Sequence, residues 1–400
     1  MANAARGERA LRIIRWSSRP GAGAPRQVWR LVVLALLGAG IAAAPAAAQV
    51  AGPPESCLDD EAPIPDPKPG APRLEFGIYP GGFAGQVGGE SVQAQPESRF
   101  EITSAVRRLR PPRGTFTLHY YRGLGSDPQQ ISRDDREMRR RLSYWGARGF
   151  RLDYAVTYRK HDAVGEWVRL IRHIVRRFGD HPALASLQVT NEVNVDFSPD
   201  SSDGYFRGAR QALVRGVIAA HREKRRRGSK LQVGFNWFWH FAPDKERNFW
   251  HYLDDNTGLR FVRSLDWIGL DVYPGSFSPT PGGTTSRGLL AGLRSLRCFA
   301  RYVGIPRAVP IHIQEVGWGT GPDRSPKQQR RELERMIRAA HRYRGAFNLT
   351  KLNWFSLRDS VSSVPSFQQQ WGLLRDDYEP KPAFAAYRRL LARLSRREAR

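Results

Sequence analysis

The chain is poor in cysteine, methionine and acidic residues. Its 400 residues include 2 cysteines, 3 methionines and 38 aspartates and glutamates, against 64 lysines and arginines. The two cysteines, Cys57 and Cys298, are too few for a disulfide-rich scaffold. Neither has a partner at the spacing of a zinc or redox motif. The low cysteine count therefore argues against small disulfide scaffolds and cysteine-held zinc modules.

Long apolar runs are also absent, apart from one near the N-terminus. Residues 31–48 are apolar and small, follow an arginine-bearing stretch (19–30) and end in three alanines. This is the layout of a secretory signal with an A-x-A cleavage pattern. We predict that residues 1–48 are a signal peptide and that the protein is secreted or associated with the cell envelope. The alternative is an uncleaved N-terminal membrane anchor.

Nucleotide-binding motifs and a concentrated basic motif are missing as well. The segment after the first predicted strand (77–90) lacks the G-x-G-x-x-G of dinucleotide-binding folds. The net charge is +26, and removal of the seven arginines and one glutamate of residues 1–48 leaves +20. This excess is spread over several predicted helix faces, whereas nucleic-acid binders concentrate it in one motif. We predict no nucleic-acid partner, and the charge favours electrostatic contact with anionic envelope polymers.

The region after the signal contains a regular alternation of two patterns. Eight segments rich in β-branched and aromatic residues predict strands, and apolar residues at spacings of three and four predict helices between them. The predicted strands are 74–80, 116–123, 150–159, 185–194, 231–240, 265–275, 309–319 and 349–357. The predicted helices are 97–109, 132–148, 163–178, 204–227, 248–255, 287–304, 326–344 and 382–396.

Eight strand–helix alternations predict an α/β protein whose fold is a (β/α)8 TIM barrel. The barrel would occupy residues 73–396 as a single domain. It would follow a proline-rich lead-in (49–72) and precede a basic tail (397–400). In such a barrel the carboxyl ends of the strands form one rim, and the chemistry lies on that rim.

Two of the predicted strand ends carry a glutamate. Glu192 lies in TNEVN (190–194) at the end of the fourth strand, and Glu315 lies in QEVGWGTG (314–321) at the end of the seventh. Both are expected on the same rim, facing each other across the mouth of the barrel.

Strand parity gives a partial test of this arrangement. Glu192 lies on the polar face of the fourth strand, and the apolar face is expected to pack on the helices. Glu315 shares a face with Ile311 and Ile313, and branched residues also fill barrel interiors. Both glutamates are thus expected to point inward, and a bulge in either strand would reset the parity.

Two carboxyl groups across a cleft are what cleavage of a glycosidic bond requires. One donates a proton to the leaving oxygen, and the other attacks the anomeric carbon or activates water. We expect the carboxyl groups of Glu192 and Glu315 to lie about 4.5–6 Å apart, because about 5–5.5 Å is typical of retaining enzymes. Asn191 is expected to donate a hydrogen bond to the 2-hydroxyl of the sugar.

These motifs resemble the retaining glycoside hydrolases of clan A. The resemblance covers residues 74–390 and rests on TNEVN, on QEVGWGTG, on DVYPG (271–275), on LNWFSLRDS (352–360) and on the KPA that opens the last helix. The cellulase-like family 5 and the xylosidase-like family 39 are equally similar.

The resemblance also implies roles for individual residues. Its four assignments are Glu192 as the acid/base, Glu315 as the nucleophile, Tyr273 as the residue that holds the nucleophile, and Trp354 as the floor of the first sugar subsite. For the clan's arginine on strand two, Arg122 is the candidate and His119 the alternative. The histidine that usually lies near the strand-six tyrosine of this clan is missing from this chain.

The leading interpretation is an exported O-glycosyl hydrolase that cleaves β-linked oligo- or polysaccharides by a retaining mechanism, without a metal or cofactor. Trp239 and Trp318, at a strand end and in a rim loop, are expected to stack on sugar rings. One alternative is a non-catalytic carbohydrate-binding barrel of the cell envelope. Another, based on charge alone, is a basic protein that binds anionic wall polymers.

In an exported protein, two cysteines predict one disulfide, Cys57–Cys298. Cys298 lies off the apolar stripe of its predicted helix and near the end of that helix, on the face of the barrel opposite the active site. We therefore expect the lead-in that carries Cys57 to cross beneath the barrel before it enters the first strand.

Overall fold

Eight parallel strands close into a barrel in the computed structural model of the protein. The structure describes residues 52–82, 96–125, 127–239 and 242–397. Each strand is hydrogen-bonded to the next along the chain, and the eighth pairs with the first. The predicted (β/α)8 TIM barrel is confirmed. The predicted signal peptide (1–48) lies outside the described residues, as do residues 398–400 of the basic tail.

The strands agree closely with the sequence pattern, although most are shorter than predicted. They are β1 (Glu75–Ile78), β2 (Phe116–Gly123), β3 (Arg151–Thr157), β4 (Leu184–Val189), β5 (Gln232–Phe238), β6 (Trp267–Val272), β7 (Ile311–Val316) and β8 (Leu349–Trp354). The helices are α1 (Arg99–Leu109), α2 (Pro128–Gly146), α3 (Val164–Phe178), α4 (Ala209–Arg227), α5 (Pro243–Asn256), α6 (Leu259–Val262), α7 (Thr285–Tyr302), α8 (Pro326–Phe347) and α9 (Pro382–Arg397).

The helices cover the outside of the barrel with apolar stripes. In α3, for example, Trp167, Ile171 and Ile174 recur at spacings of three and four and are fully buried. Helix α8 begins with a capping box, in which Ser325 and Gln328 satisfy each other's backbone N–H groups. Among the described residues, no helix combines the length and apolarity that a membrane crossing requires.

A bulge in β7 decides where Glu315 points. Leu270 of β6 pairs with Ile313, but the next residue, Asp271, pairs with Glu315, so that Gln314 is an extra residue in β7. A bulge of this kind resets the alternation of side chains. The expected parity is therefore corrected. Ile313 and Glu315 pair with consecutive residues of β6, so they lie on opposite faces of β7 and do not share one as expected. The bulge thus lets Glu315 face the interior without Ile313 doing so.

Polar side chains fill the barrel below the mouth. Lys351 donates to both oxygens of Asp153 at 2.8 and 2.9 Å, and Ser186 Oγ donates to Asp153 at 2.6 Å. His119 is aligned with Asp153 on the neighbouring strand, and His312 is aligned with Lys351. All five side chains are buried. We call these five residues the lower layer.

The lead-in is tied to the outside of the barrel. Cys57 and Cys298 are joined by a disulfide, with Cα atoms 5.3 Å apart. Two arginines also hold the lead-in. Next to the disulfide, Arg294 of α7 donates to the carbonyl of Ser56 at 3.0 Å, and further along the chain Arg344 of α8 donates to the carbonyl of Pro72 at 2.9 Å. The lead-in thus runs along α7 and α8. This corrects the expected path beneath the barrel.

Candidate active site

A cavity of about 310 Å³ opens where the strands end at their carboxyl side. Its wall combines aromatic rings with carboxyl, amide and guanidinium groups, a mixture that is typical of small-ligand sites. The lining residues are Tyr79, Tyr121, Arg122, Gly123, Thr157, Arg159, Asn191, Glu192, Asp200, Ser201, Phe238, Tyr273, Phe277, Glu315, Phe355, Gln368 and Trp371.

Glu315 is held by two tyrosines. The hydroxyl of Tyr121, on β2, donates to its Oε1, and the hydroxyl of Tyr273, just after β6, donates to its Oε2. The side chain of Glu315 is 7% exposed, so these two donors replace most of its contact with water. Hydrogen bonds to both oxygens favour the ionised form of a carboxyl group.

Glu192 is presented by a sharp turn rather than by the strand itself. Strand β4 ends at Val189, and Thr190 and Glu192 adopt positive φ angles of 69° and 48°. Such angles are uncommon outside glycine and store strain that the surroundings must offset. The backbone N–H of Glu192 donates to Asn236 at 3.0 Å, and Ser202 Oγ donates to its carboxyl at 2.5 Å.

A buried aspartate fixes this turn. Asp203 Oδ2 accepts from the backbone N–H groups of Tyr158 and Asn191, both at 2.8 Å. The N–H of Asp203 in turn donates to the carbonyl of Asn191 at 2.8 Å. The segment 196–204, a loop between β4 and α4, therefore holds the turn that carries Glu192. It also supplies Ser202.

The two glutamates lie close together but in unequal surroundings. An oxygen of Glu192 lies within 4.8 Å of an oxygen of Glu315. Burial, and then the charge of Glu315, raises the pKa of Glu192 to about 8. Burial also raises the pKa of Glu315, but the donors Tyr121 and Tyr273 oppose that rise. At neutral pH this arrangement favours a proton on Glu192 and the negative charge on Glu315.

A third carboxyl group, which sequence reasoning missed, completes the cluster. Asp271, in β6, is fully buried, and one of its carboxyl oxygens lies within the same 4.8 Å of an oxygen of Glu192 and of Glu315. Asn236 Nδ2 donates to Asp271 and, at 2.9 Å, to Asn191. By spacing alone the three carboxyl groups are near enough to share a cation. The sequence signal was present, since Asp271 lies two residues before Tyr273 and therefore on the same side of the strand.

The residues next to the glutamates are placed as expected. Asn191 lines the cavity, and its Oδ1 accepts from Gln188 at 2.8 Å as well as from Asn236. Its Nδ2 donates to the carbonyl of Ser201 at 2.9 Å, which leaves one N–H for a ligand. Tyr273 lies beside Glu315, as the resemblance implied.

Three predicted tryptophans do not line the cavity, as far as the described residues show. Trp354 is fully buried and lies 6.4 Å from Tyr387 of α9, ring to ring. Trp239 is also fully buried, and its Nε1 donates to Ser295 of α7 at 3.2 Å. The guanidinium of Arg324 lies 3.9 Å above the ring of Trp318.

Other aromatic residues take the places expected of those tryptophans. Phe355, one residue after Trp354, lines the cavity and stacks on Tyr79 at 4.9 Å. Trp371 lines it too, with its ring 5.1 Å from that of Tyr273. The shift by one residue follows from strand alternation, because Trp354 points to the helices where β8 ends.

Strand two departs from the expectation in a similar way. The residue of β2 that reaches the glutamates is Tyr121, and neither Arg122 nor His119 does so. Arg122 borders the cavity, but its guanidinium pairs with Asp135 of α2 at 2.8 Å. His119 faces the interior one layer lower, where burial lowers its pKa to about 4. Alternation along HYYRG, with His119 and Tyr121 on one face, was the available signal.

Comparison with known proteins bears on the fold. No protein-family model matches the chain, and no curated protein matches its sequence. Structures of glycoside hydrolases do match. A family 5 subfamily 18 enzyme from Streptomyces cattleya, solved with GlcNAc, is 14% identical, with a TM-score of 0.55 and 82% of each chain covered. The fold is that of glycoside hydrolase barrels.

Two further structures support the same conclusion. A family 39 glycoside hydrolase from Bacteroides cellulosilyticus WH2 is 12% identical with a TM-score of 0.54, over 83% of this chain and 66% of that one. The β-glycosidase of Thermosphaera aggregans is 14% identical with a TM-score of 0.53, over 81% of this chain and 96% of the other. At identities this low, the structural matches establish a shared fold only. The roles of individual residues are argued from the geometry of the site itself.

Proposed function

We propose that the protein is a retaining glycoside hydrolase that cleaves β-linked glycosides through a glycosyl-enzyme intermediate. The observation that carries this proposal is the pair Glu192 and Glu315, buried at the barrel mouth with oxygens within 4.8 Å. Retaining enzymes hold their two carboxyl groups about 5–5.5 Å apart, whereas inverting enzymes separate them by about 6.5–9.5 Å. The unequal surroundings of the two groups suit an acid and a nucleophile.

In the first step, an oxygen of Glu315 attacks the anomeric carbon while Glu192 transfers its proton to the glycosidic oxygen. The bond from the anomeric carbon to that oxygen breaks, and the leaving group departs as an alcohol. In the second step, Glu192 takes a proton from water, the water oxygen attacks the anomeric carbon, and the bond to Glu315 breaks. Tyr121 and Tyr273 orient Glu315 throughout and receive it again as a free carboxylate.

The cavity walls suit a short saccharide. Phe238, Phe355 and Trp371 present aromatic surface around the carboxyl groups, and aromatic faces bury the apolar C–H groups of pyranose rings. Arg159 and Gln368 add hydrogen-bond donors at the rim of the same cavity. The family 5 structure from Streptomyces cattleya was solved with GlcNAc, which makes β-N-acetylglucosaminides one of the classes to include in a first substrate panel.

The decisive experiment combines turnover with trapping of the intermediate. The parent, Glu315→Gln and the exposed control Glu166→Gln are assayed on aryl β-glycosides and on β-linked polysaccharides. We expect the parent and the control to turn over, and Glu315→Gln to lose at least about 10⁴-fold because an amide cannot form the intermediate. A 2-deoxy-2-fluoro glycoside should label the peptide that contains Glu315.

Other outcomes of this experiment would exclude the proposal. Inversion of the anomeric configuration, followed by NMR, would exclude a glycosyl-enzyme intermediate. Saccharide binding without turnover, equal in the parent and in Glu315→Gln, would instead identify a non-catalytic carbohydrate-binding barrel.

Export to the cell envelope forms part of the proposal. The signal-like N-terminal segment and the disulfide between Cys57 and Cys298 both favour an oxidising compartment outside the cytosol. A reporter enzyme fused after residue 72 should appear outside the cytosol. A fusion that stays in the cytosol would contradict export.

The basic surface favours contact with anionic envelope polymers. A groove of about 680 Å³ on the outer side of α4 and α6 is lined by six arginines: Arg172, Arg222, Arg225, Arg226, Arg260 and Arg263. Of these, Arg226 pairs with Glu223, the only acidic residue of the groove within the described part of the chain. Binding to a polyanion such as polyglucuronate should fall steeply with salt, and Arg222→Glu with Arg225→Glu should weaken it. Binding that is insensitive to salt and to these changes would exclude the contact.

A further inference from the structure

Asp271 is a buried carboxyl group in the active site that the proposed two-glutamate reaction does not use. It is aligned with Glu315 on the neighbouring strand, and one of its oxygens lies within 4.8 Å of an oxygen of each glutamate. Among the described residues, no lysine or arginine forms an ion pair with any of these three carboxyl groups. Within that part of the chain, the cluster therefore has no ion-pair partner to balance its charge.

The hydrogen bonds of Asp271 are incomplete if it is ionised. Its Oδ2 accepts from Asn236 Nδ2, but its Oδ1 is buried and receives no N–H or O–H donor within the described part of the chain. One oxygen of Asp271 also lies within 4.8 Å of an oxygen of Glu192. Two carboxylates cannot donate to each other, so a hydrogen bond between Asp271 and Glu192 requires a proton on one of them.

Charge repulsion limits how many of the three groups can ionise. Like charges at this distance in a buried site disfavour ionisation of the second and third group. Of the three groups, Glu315 is the one best stabilised as an anion, because two tyrosine hydroxyls donate to it. Protons then remain for both Glu192 and Asp271.

We propose that Asp271 is a positioning residue that stays protonated through the reaction and donates a hydrogen bond to Glu192. This inference rests on the proposed function, because it assigns a partner to the acid/base. Burial, and then the charges of Glu315 and Glu192, raises the pKa of Asp271 well above its usual value, in agreement with the geometry.

A protonated Asp271 keeps the charge of the site constant. In the resting enzyme the single negative charge lies on Glu315. After Glu315 has formed the ester and Glu192 has given its proton to the leaving group, the single negative charge lies on Glu192. The O–H of Asp271 then donates to that carboxylate without transferring its proton. When Glu192 takes a proton from water, the charge returns to Glu315 as the ester bond breaks.

The first test measures protonation directly and needs no turnover. Infrared difference spectra of the parent minus Asp271→Asn at pH 7 should show one carboxylic acid C=O band that belongs to Asp271. The exposed Asp255→Asn should show a loss of carboxylate absorption instead. Loss of carboxylate absorption in Asp271→Asn would overturn the proposal. Because no substrate is needed, this result is separate from success or failure of the glycosidase assay.

The second test measures the effect on the acid/base. Asp271→Asn can still accept from Asn236 and donate to Glu192, so kcat should fall by less than about tenfold. Asp271→Leu keeps the volume but removes the donor, and loss of a hydrogen bond to a charged group reduces kcat by about 10–100-fold, with little change in KM. Without its donor, anionic Glu192 is less stable, so the basic limb of kcat/KM should move to higher pH in Asp271→Leu.

An ionised Asp271 predicts the opposite pattern. Replacement of a negative charge by a neutral amide would lower the pKa of Glu192, and the basic limb of Asp271→Asn would move to lower pH. A cation held by the three carboxyl groups would make the parent sensitive to EDTA and would give a rise in Tm with Ca²⁺, Mn²⁺ or Zn²⁺ that Asp271→Asn loses. Either result would overturn the proposal, and a parent indifferent to these metals supports it.

Discussion

Two groups of buried polar side chains lie one above the other inside this barrel, and they differ in one respect. The lower layer, which is Asp153 with Ser186, Lys351 and two histidines, contains a lysine that donates to both oxygens of the aspartate. The upper layer is the trio Glu192, Asp271 and Glu315, in which hydroxyls and amides are the only donors within the described residues. Burial is nearly complete in both.

The presence of one cation reverses the direction of the pKa shifts. Burial alone would raise the pKa of Asp153, but Lys351 and Ser186 hold it below its usual value. In the upper layer nothing offsets burial fully, and the pKa values of all three carboxyl groups rise. The lower layer is thus a charge-balanced contact. In the upper layer, the raised pKa values favour protonated Glu192 and Asp271 near neutral pH.

The presence or absence of a cation gives the two layers different roles within one barrel, the lower in stability and the upper in proton transfer. A buried carboxylate with a matched partner contributes to a single packed state, whereas carboxyl groups with raised pKa values cluster at sites that transfer protons. Strand β7 joins both layers, since His312 belongs to the lower one and Glu315 to the upper one. The bulge at Gln314 lies between them and lets the same strand serve both.

Among the tests of this comparison between the two layers, the largest effect is expected at the acid/base of the upper layer. Glu192→Ala should reduce kcat by about 10²–10⁴-fold on substrates with poor leaving groups, because no other group donates the proton. The loss should be smaller for a dinitrophenyl glycoside, which departs without protonation. Added azide should restore turnover of that substrate and give a β-glycosyl azide, detected by NMR. A uniform loss on both substrates, without rescue, would contradict the assignment of Glu192.

The next effect concerns the cation of the lower layer. Lys351→Met leaves Asp153 buried without its partner, and loss of one member of a buried ion pair costs about 3–5 kcal/mol of unfolding free energy. Urea unfolding at pH 7, followed by tryptophan fluorescence, measures the change.

The control for this prediction removes both charges at once. Asp153→Leu combined with Lys351→Met leaves no unpaired charge and should recover most of the lost stability. If Lys351→Met alone were as stable as the parent, the lower layer would not be the stabilising contact that its geometry indicates.

The barrel and the position of its two glutamates were predictable from the sequence. Eight periodic segments with turn residues between them define the strands, and glutamates at two strand ends define the rim. Side-chain details were less accessible. The bulge at Gln314 leaves no mark in the sequence, and Ser202 reaches Glu192 from a loop with no periodic pattern.

Alternation along strands contained more information than motif matching used. Motif matching favoured Trp354, which lies one residue before the cavity-lining Phe355, and Arg122, which borders the cavity but lies one residue after the Tyr121 that contacts Glu315. Phe355 and Tyr121 follow from the alternation of side chains once the ends of β8 and β2 are known. The carboxyl group of Asp271 was overlooked because only two carboxyl groups are needed for the reaction.

A third prediction uses the opposite pKa shifts. The folded state keeps a proton on Glu192 that the unfolded chain releases, so this group makes unfolding free energy fall as pH rises from about 4.5 to about 8. Asp153 has the opposite sign, since its contribution is lost only as pH falls below about 4. Between pH 5.5 and 7.5 Asp153 therefore contributes no slope and Glu192 does, while His119, whose pKa burial lowers to about 4, contributes a slope of the opposite sign.

Glu192→Gln removes this titration. Its unfolding free energy should depend on pH less steeply than that of the parent by about 1.4 kcal/mol per pH unit, which corresponds to one proton. Urea titrations at pH 5.5, 6.5 and 7.5 measure the slopes, with the exposed Glu166→Gln as the control. Parallel slopes for the parent and Glu192→Gln would show that Glu192 is already ionised at pH 5.5.

The smallest effect is expected from removing a hydroxyl donor of Glu315. This prediction tests whether the tyrosine hydroxyls stabilise the Glu315 carboxylate as Lys351 stabilises that of Asp153. Tyr121→Phe removes one of the two hydroxyls that donate to Glu315. A hydrogen bond to a charged group is worth about 1.5–3 kcal/mol, so kcat/KM should fall by at least about tenfold. The pKa of Glu315 should rise, because burial then has one donor fewer to oppose it, and the acidic limb of the pH profile should move to higher pH.

The matched control is the neighbouring residue of the same strand. Tyr120 faces the helices, where its hydroxyl accepts from Trp145 Nε1 at 2.9 Å, and Tyr120→Phe should leave the acidic limb in place. A shift of that limb in Tyr121→Phe but not in Tyr120→Phe shows that the Tyr121 hydroxyl stabilises the Glu315 carboxylate, as a cation does in the lower layer. If neither variant moved the limb, Glu315 would owe its charge to Tyr273 alone, and the upper layer would depend on a single donor where the lower layer depends on a lysine.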